Sequence, residues 1–302
     1  MTPSAGDVLD SPPRAPMPTC PLDFLWLEIT GRCQLACEHC YASSGPSGTH
    51  GTMATADWKR TIDQAVDLGV ARIQLIGGEP TLHPDLPALV RHALSRGPEV
   101  EVYSNLVRVS DELWRLFESP GVALATSYYS PAAEQHDAVT GRRNSHDRTL
   151  ASIRQALARG IPVRVGVVSV RPGQQVDAAV AELRALGVAD IGVDRVRQVG
   201  RGVRDAAPDI AQLCGGCADL SLAVSPVGDA WPCVFSRWLR VGNVREEPLE
   251  AVNARAGEVR RELAAAFVER RGGRRCGPDG DGGLCRPVCM PVLGCRPFRA
   301  EH

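Results

Sequence analysis

Residues 24–41 read FLWLEITGRCQLACEHCY, an apolar run that leads directly into three cysteines, Cys33, Cys37 and Cys40. The run Phe24–Thr30 is rich in aromatic and β-branched residues, which is the composition of a buried strand. The cysteines therefore lie on the loop that leaves this strand. Three thiolates at this spacing can bind three irons of a [4Fe–4S] cube and leave the fourth iron without a protein ligand.

Two other metal sites could use the same cysteines. A structural zinc ion would need a fourth ligand, which His39 or His50 could supply, although structural zinc sites usually combine two Cys or His pairs. A ferredoxin-type cluster would place a fourth cysteine in the same local run, and the next cysteine after Cys40 is Cys214. We therefore favour the cube with one open iron.

Five further apolar runs repeat the pattern of the first. Segments with helical spacing lie between them, such as Trp58, Ile62 and Val66. Strands that alternate with helices predict a parallel sheet with crossover helices, although periodicity does not decide whether the sheet closes. The six predicted strands are Phe24–Thr30, Arg72–Ile76, Glu99–Ser104, Val122–Ser127, Val163–Val170 and Ile191–Val196.

Glycine and polar residues follow several of these strands. In parallel α/β folds, ligands bind at the carboxyl ends of the strands, so residues after different strands should meet there. The sequence GGEP at 77–80 follows the second strand, where two glycines permit close approach of the backbone to a ligand. Glu79 offers a hydrogen-bond acceptor and Pro80 fixes the turn. Tyr128, Tyr129, Asp194 and Arg195 also lie near predicted strand ends and could reach a substrate.

The spacing Cys33-x3-Cys37-x2-Cys40 resembles the signature of the radical S-adenosylmethionine (SAM) superfamily. The GGEP sequence is similar to that family's second motif, which binds the methionine amino group of SAM. The resemblance implies an α/β fold with a parallel partial (β/α)6 barrel, a [4Fe–4S] cluster on the three cysteines, and SAM beside it. By position, the cofactor-binding residues would be Gly77, Gly78, Glu79, Pro80, Ser104, Asn105 and Ser127.

Seven of the eleven cysteines fall within residues 214–295, and Cys20 stands alone as an expected bystander. The spacing Cys217-x10-Gly228-x4-Cys233 resembles the opening motif of the SPASM extension, which carries auxiliary iron–sulfur clusters in many radical SAM enzymes. The remainder is one cysteine short of that pattern. If the pattern applies, one auxiliary cluster would use Cys214, Cys217, Cys233 and Cys289, and a second would use Cys276, Cys285 and Cys295.

Two alternatives for this region stay open. The chain could hold a single auxiliary cluster with spare thiols, or a zinc ribbon that uses Cys214 and Cys217. In either case the predicted organisation is a flexible lead-in over 1–21, a barrel over 22–205 and a small cysteine-rich domain over 206–302.

Composition excludes several classes of partner. A net charge of -1 and an aromatic content of 5% provide neither a basic face nor stacking platforms, so we expect no nucleic acid. No apolar run of about eighteen residues occurs and the N-terminus does not resemble a signal peptide. We therefore expect no membrane partner and a cytoplasmic location.

The family resemblance also implies the chemistry: reductive cleavage of SAM to a 5′-deoxyadenosyl radical, followed by oxidative modification of a substrate by an oxidoreductase. An external donor such as flavodoxin or ferredoxin would supply the electron. Most relatives with the SPASM extension modify ribosomally made peptides by a cross-link, a thioether or an epimerisation. The alternative substrate is a small aminocyclitol or sugar-type metabolite. Because the lead-in is short, a peptide substrate would call for a separate precursor-recognition protein or for direct recruitment by the barrel.

Overall fold

The computed structural model describes residues 21–205, 207–213 and 217–270. Its strands form one nine-stranded sheet in the order β6-β5-β4-β3-β2-β1-β7-β8-β9. They are β1 (Phe24–Thr30), β2 (Arg72–Gly77), β3 (Glu99–Tyr103), β4 (Val122–Tyr128), β5 (Val163–Ser169), β6 (Asp190–Arg195), β7 (Ser221–Val224), β8 (Asp229–Trp231) and β9 (Gly242–Asn243).

Crossover helices connect the parallel strands. They are α1 (Thr55–Asp67), α2 (Leu86–Arg96), α3 (Asp111–Phe117), α4 (Ala133–Thr140), α5 (Ser145–Ala158) and α6 (Val176–Ala185), and α7 (Leu249–Arg270) follows the last strand. All neighbouring pairs from β1 to β6 are parallel. The predicted α/β fold with a parallel partial barrel is confirmed, and each of the six predicted strands agrees with the structure to within one residue at either end.

The position of β1 in the middle of the sheet explains its continuous apolar sequence. All seven of its residues are buried, as expected for a parallel strand covered on both faces. Leu25, Leu27 and Ile29 pack in the large cluster that also contains Trp58 of α1. Phe24 and Trp26 belong to a second cluster on the opposite face. The two clusters define an outer layer of helices and a barrel interior.

Polar side chains fill the lower interior of the barrel. Gln74, Glu101 and Arg164 lie on β2, β3 and β5, and Glu101 accepts hydrogen bonds from both neighbours, at 2.7 and 3.1 Å from Arg164. Side chains two residues further along the same strands face the same way. Tyr103, two residues beyond Glu101 on β3, therefore lies above this layer, towards the carboxyl ends of the strands. Its hydroxyl is hydrogen-bonded to Ser127 of β4, and both residues line a cavity.

The segment after residue 217 extends the barrel sheet. β7 pairs in parallel with β1, with Phe24 opposite Ser221, and β8 and β9 add an antiparallel edge. Arg237, beyond β8, forms an ion pair of 2.7 Å with Glu28 of β1, which is 1% exposed. The division at residue 206 stays a prediction. None of the helices in the described ranges combines the length and apolarity that a membrane crossing requires.

Candidate active site

One cavity opens at the carboxyl ends of the parallel strands, and Cys33, Cys37 and Cys40 all line it. The space inside, including its open mouth, is about 1040 Å³. Backbone hydrogen bonds hold the cysteine loop in place. The Cys33 N–H donates to the carbonyl of Gly45 at 3.0 Å, and the Ala36 N–H donates to the last residue of α4 at 3.1 Å. The loop is therefore fixed at both its beginning and its middle.

Without a bound metal, the surroundings of these thiols disfavour the thiolate form. Burial raises the pKa of Cys33 to about 12, with a further contribution from the negative charge of Glu79. Burial also raises the pKa of Cys37, and the charges of Cys40 and Cys33 add to the effect, so the three thiols are close enough to interact. Bound iron stabilises thiolates and removes this cost.

A single metal ion fits the same residues less well. Within the described ranges, no three His, Cys, Asp or Glu side chains converge on one ion position. His39 instead lies 3.3 Å from the Tyr129 hydroxyl through Nε2, and His50 Nδ1 lies 2.9 Å from the Thr30 hydroxyl. In an iron–sulfur cube each cysteine binds a different iron, so the three thiols need not meet at one point. The arrangement fits the cube better than zinc.

The two glycines of GGEP approach the backbone that leaves β1. A Cβ on Gly77, whose φ is +133°, would lie 2.3 Å from the carbonyl oxygen of Thr30. A Cβ on Gly78 would lie 2.3 Å from that of Arg32. Both residues also line the cavity. We expected the glycines to allow approach to a ligand, but the contact that demands them is with the protein's own backbone.

Glu79 and its partners lie behind the cavity wall. The Glu79 side chain is fully buried and accepts hydrogen bonds from the Ser104 hydroxyl at 2.7 Å and the Asn105 N–H at 2.8 Å. It also accepts from both the N–H and the hydroxyl of Thr81. Burial raises the pKa of Glu79, and these hydrogen bonds oppose the rise. Glu79, Ser104 and Pro80 do not line the cavity. They lie where they can hold the loops after β2 and β3 in position.

Asn105 and Ser127 do face the cavity. The Asn105 amide donates to the Cys33 sulfur at 3.7 Å and to the Gln34 side chain at 3.2 Å, which places it directly beside the cysteine loop. Ser127 shares a hydrogen bond of 2.8 Å with the Tyr103 hydroxyl. The predicted cofactor-binding residues are thus brought together around the cysteines, and their roles stay predictions.

Unpartnered polar atoms concentrate at this cavity. Ten buried side-chain polar atoms lack a partner in the described part of the chain, and half of them belong to cavity-lining residues. An unsatisfied buried polar atom costs about 1–3 kcal/mol, so such a concentration points to a ligand. The five atoms are His39 Nδ1, Tyr41 Oη, Ser44 Oγ, His136 Nε2 and Arg201 Nη2.

The substrate candidates near strand ends divide into two groups. Tyr129, Asp194 and Arg195 line the cavity. Tyr128 does not, because its hydroxyl points to Glu182 at 2.6 Å on the other face of the sheet. Sequence reasoning missed the cavity residues His136 and Arg201. For Arg201 the available signal was the pair of glycines at 200 and 202 on either side of it.

The structure brings together two of the predicted auxiliary ligands. The sulfurs of Cys217 and Cys233 are 3.4 Å apart, and both side chains are buried beside Phe24 and Trp26. Their role in a cluster stays a prediction. The other cysteines assigned to auxiliary clusters lie outside the described residues: Cys214, Cys276, Cys285, Cys289 and Cys295.

A family model described as the Radical SAM superfamily matches residues 27–186, which is more than half of the chain. The chain belongs to this superfamily. Radical SAM proteins use a [4Fe–4S] cluster and SAM, and the bound cluster supplies the electron that cleaves the cofactor. Here the matched range includes the cysteine loop, the GGEP turn and the polar ends of β3 and β4. The cavity of this radical SAM chain is therefore its candidate active site.

Curated relatives include a peptide cyclase and a bacteriocin biosynthesis protein. The PqqA peptide cyclase of Xanthomonas campestris pv. campestris (strain B100) is 31% identical over 220 residues, covering 69% of this chain and 57% of the cyclase. The antilisterial bacteriocin subtilosin biosynthesis protein AlbA of Bacillus subtilis (strain 168) is 26% identical over 262 residues, covering 74% of this chain and 58% of AlbA. The chain thus spans less than three-fifths of the length of these relatives.

Solved structures show the same fold. Streptococcus suis SuiB bound to S-adenosylmethionine matches with a TM-score of 0.66 and 17% identity, over 80% of this chain and 68% of SuiB. Native anSMEcpe with bound AdoMet and Cp18Cys peptide matches with a TM-score of 0.61 and 12% identity, over 81% and 84%. At these identities the likeness concerns the fold alone.

Proposed function

We propose that this chain is a radical SAM oxidoreductase that cleaves SAM reductively and oxidatively modifies a ribosomally made peptide. The observation that supports it best is the single cavity that joins Cys33, Cys37 and Cys40 to the glycines of the GGEP turn and to Asn105. The names of the two curated relatives favour a peptide as the substrate class. An oxidative modification would be a cross-link or a thioether, each with net loss of two hydrogens; an epimerisation, which is redox-neutral, is the third possible outcome.

In this proposal the chain's own residues divide the work of holding SAM. The backbone of Gly77 and Gly78 and the side chains of Asn105 and Ser127 contact the cofactor, since all four face the cavity. Glu79, Ser104 and Pro80 act behind them: the buried carboxylate ties the loop after β2 to the loop after β3. The barrel wall excludes water from the reacting atoms.

An oxidative outcome requires an acceptor for the substrate's electron, and we assign that role to one or two auxiliary iron–sulfur clusters. The close approach of Cys217 and Cys233 supports this assignment. An external one-electron donor, flavodoxin or ferredoxin, would reduce the first cluster. A separate precursor-recognition protein would deliver the peptide.

The test is anaerobic reconstitution of the chain with iron, sulfide, SAM and a reductant, followed by incubation with candidate precursor peptides. Mass spectrometry should detect 5′-deoxyadenosine and a peptide that has lost about two hydrogens per modification, or the same mass with inverted residues for an epimerisation. A Cys33/Cys37/Cys40→Ala triple variant should yield no 5′-deoxyadenosine. Oxidation of an aminocyclitol instead of a peptide would reject the substrate class. Undiminished SAM cleavage in the triple variant would reject the cysteine assignment.

A further inference from the structure

A turn after β6 contacts the cysteine loop directly. Gly200–Gly202 forms a short 3-10 turn with Arg201 at its centre. The Arg201 N–H donates to the carbonyl of Cys40 at 3.0 Å, and its Nε donates to the carbonyl of Cys37 at 2.9 Å. Backbone and side chain of one residue thus hold the carbonyls of two cysteines. No motif identified in the sequence includes this turn.

Both glycines beside Arg201 are required by close backbone approach. Gly200 has a φ of +60°, and a Cβ there would lie 2.3 Å from the Tyr41 carbonyl oxygen and 2.5 Å from that of Cys40. A Cβ on Gly202 would lie 2.3 Å from the carbonyl oxygen of Arg197. Any other residue at 200 would push the turn away from the cysteine loop, and any other residue at 202 would clash with the backbone of the turn's own segment. The turn therefore places the Arg201 side chain at one defined position.

The Arg201 guanidinium brings a positive charge that has no ion-pair partner within the described ranges. The neighbouring arginines differ: Arg171 pairs with Glu38 at 2.6 Å, and Arg197 pairs with Asp194 at 2.8 Å. Arg201 Nη2 is buried and unpartnered, and the residue lines the cavity. Its Nε lies 2.9 Å from the carbonyl oxygen of Cys37, and Arg201 lines the same cavity as Cys33, Cys37 and Cys40, so the charge lies beside the cysteine loop.

Such a charge changes how readily a nearby cluster accepts an electron. The reduced cluster carries one more negative charge than the oxidised cluster, so a fixed positive charge stabilises the reduced state more. We propose that Arg201 raises the reduction potential of the cluster bound by Cys33, Cys37 and Cys40, and thereby eases electron entry from a flavodoxin- or ferredoxin-type donor. One electron enters in this step and no covalent bond changes. Arg201 is a positioning residue, distinct from the residues assigned to SAM.

The test is a redox titration of the full reconstituted chain, followed by electron paramagnetic resonance, without SAM and then with it. At a fixed solution potential, we expect Arg201→Gln to lower the ratio of reduced to oxidised cluster by about tenfold. For a one-electron couple this corresponds to a decrease of ~59 mV in the reduction potential of the cluster. Arg201→Lys should retain most of the wild-type potential. Arg159→Gln is the matched control, because it removes a positive charge at the end of α5, where Arg159 pairs with Glu118 and does not line the cavity.

A second variant leaves Arg201 intact. A Cβ on Gly45 would meet only the Arg201 Nη1 atom, at 3.9 Å, so the position has room for a short side chain. We expect Gly45→Asp to neutralise the guanidinium and lower the potential in the same direction, whereas Gly45→Ala should not. This variant decides the question if Arg201→Gln fails to bind iron.

Two outcomes would overturn the proposal. The first is an unchanged potential in both Arg201→Gln and Gly45→Asp with full iron content. The second is a change that occurs only with SAM present, which would assign Arg201 to the cofactor's carboxylate. The measurement needs no substrate, so it is independent of the peptide assignment. A wild-type chain that binds no iron would instead reject the cluster site itself.

Discussion

Glu79 is the residue on which the geometry beside the cysteine loop depends most. Its buried carboxylate accepts hydrogen bonds from Ser104, Asn105 and Thr81, so both of its oxygens face hydrogen-bond donors. Glu79→Gln replaces one acceptor oxygen by an amide N–H₂ that must face a donor. We expect a loss of about 1–3 kcal/mol in the free energy of unfolding. SAM binding should weaken as well, because Asn105 is displaced.

Denaturant unfolding and equilibrium binding of SAM would measure the two effects. Glu112→Gln is a matched control, since Glu112 is exposed at the start of α3 and the same chemical change there should alter stability by less than about 0.5 kcal/mol. Equal stability and SAM affinity in Glu79→Gln and wild type would show that the carboxylate does not position the loop.

His136 should make stability depend on pH. Burial, and then the charge of His146, lower the pKa of His136 from 6.5 to about 3. Between these values the unfolded chain binds a proton that the folded chain does not, so acidification favours unfolding. From pH 7.5 to 5.5 we expect this residue to remove about 1 kcal/mol of stability. His136→Gln should lack that contribution.

Denaturant unfolding of wild type and His136→Gln at the two pH values would test this. The quantity of interest is the difference between the two proteins, because contributions from other groups and from the cluster then cancel. Parallel pH dependences in both proteins would contradict the prediction. A smaller loss of stability in the variant on acidification would support it.

For individual residues, the sequence predicted which ones lie together near the cavity but not the role of each side chain. Gly77, Asn105 and Ser127 were expected at the cavity because they follow parallel strands, and they line it. Glu79 was expected to face a ligand, yet its side chain points into the protein because three neighbouring residues supply donors. For Arg201 the flanking glycines were the local signal, and they do not indicate its contact with Cys37, which joins residues far apart in the chain.

Among the elements, β3 and β5 are joined inside the barrel by a buried ion pair, and Gln74 of β2 donates a hydrogen bond to the same carboxylate. Arg164 and Glu101 contact each other at 2.7 Å with side-chain exposures of 15% and 7%. Arg164→Met would leave the Glu101 charge uncompensated, and we expect a loss of about 3–5 kcal/mol in the free energy of unfolding. Adding Glu101→Gln to this variant should restore a large part of the loss.

An exposed ion pair offers the matched control for these Arg164 and Glu101 variants. Arg159 and Glu118 are 33% and 38% exposed in their side chains and join α3 to the end of α5. Arg159→Met should cost no more than about 1 kcal/mol, because water screens the charges. Denaturation midpoints of wild type, the two single variants, the double variant and the control would decide it. Equal losses for the two arginine variants would mean that the interior pair is solvated.

The elements themselves were predictable to different degrees. The six barrel strands are long apolar runs separated by helices, so their positions could be predicted closely. β7, β8 and β9 were not predicted, because they have only four, three and two residues. The pairing of β7 with β1 joins Ser221 to Phe24, and no local pattern could indicate it. The segment therefore gave no local sign of its pairing with the barrel sheet.

For the whole molecule, the number of bound clusters is the property that connects the barrel to the cysteine-rich region. One [4Fe–4S] cluster would give about four irons per chain, one auxiliary cluster about eight and two about twelve. Cys217 and Cys233 are the only auxiliary candidates within the described residues, and their sulfurs are in contact at 3.4 Å. A Cys217→Ala/Cys233→Ala variant should therefore lose about four irons relative to wild type.

Quantifying iron and sulfide in wild type, this double variant and the Cys33/Cys37/Cys40→Ala variant separates the two regions. The double variant should still cleave SAM, because its changed residues are not cavity-lining residues, but it should not complete an oxidation that needs an electron acceptor. About eight irons in wild type would limit the chain to one auxiliary cluster. An unchanged iron content in the double variant would remove Cys217 and Cys233 from any cluster, and the oxidative proposal would then need a different acceptor.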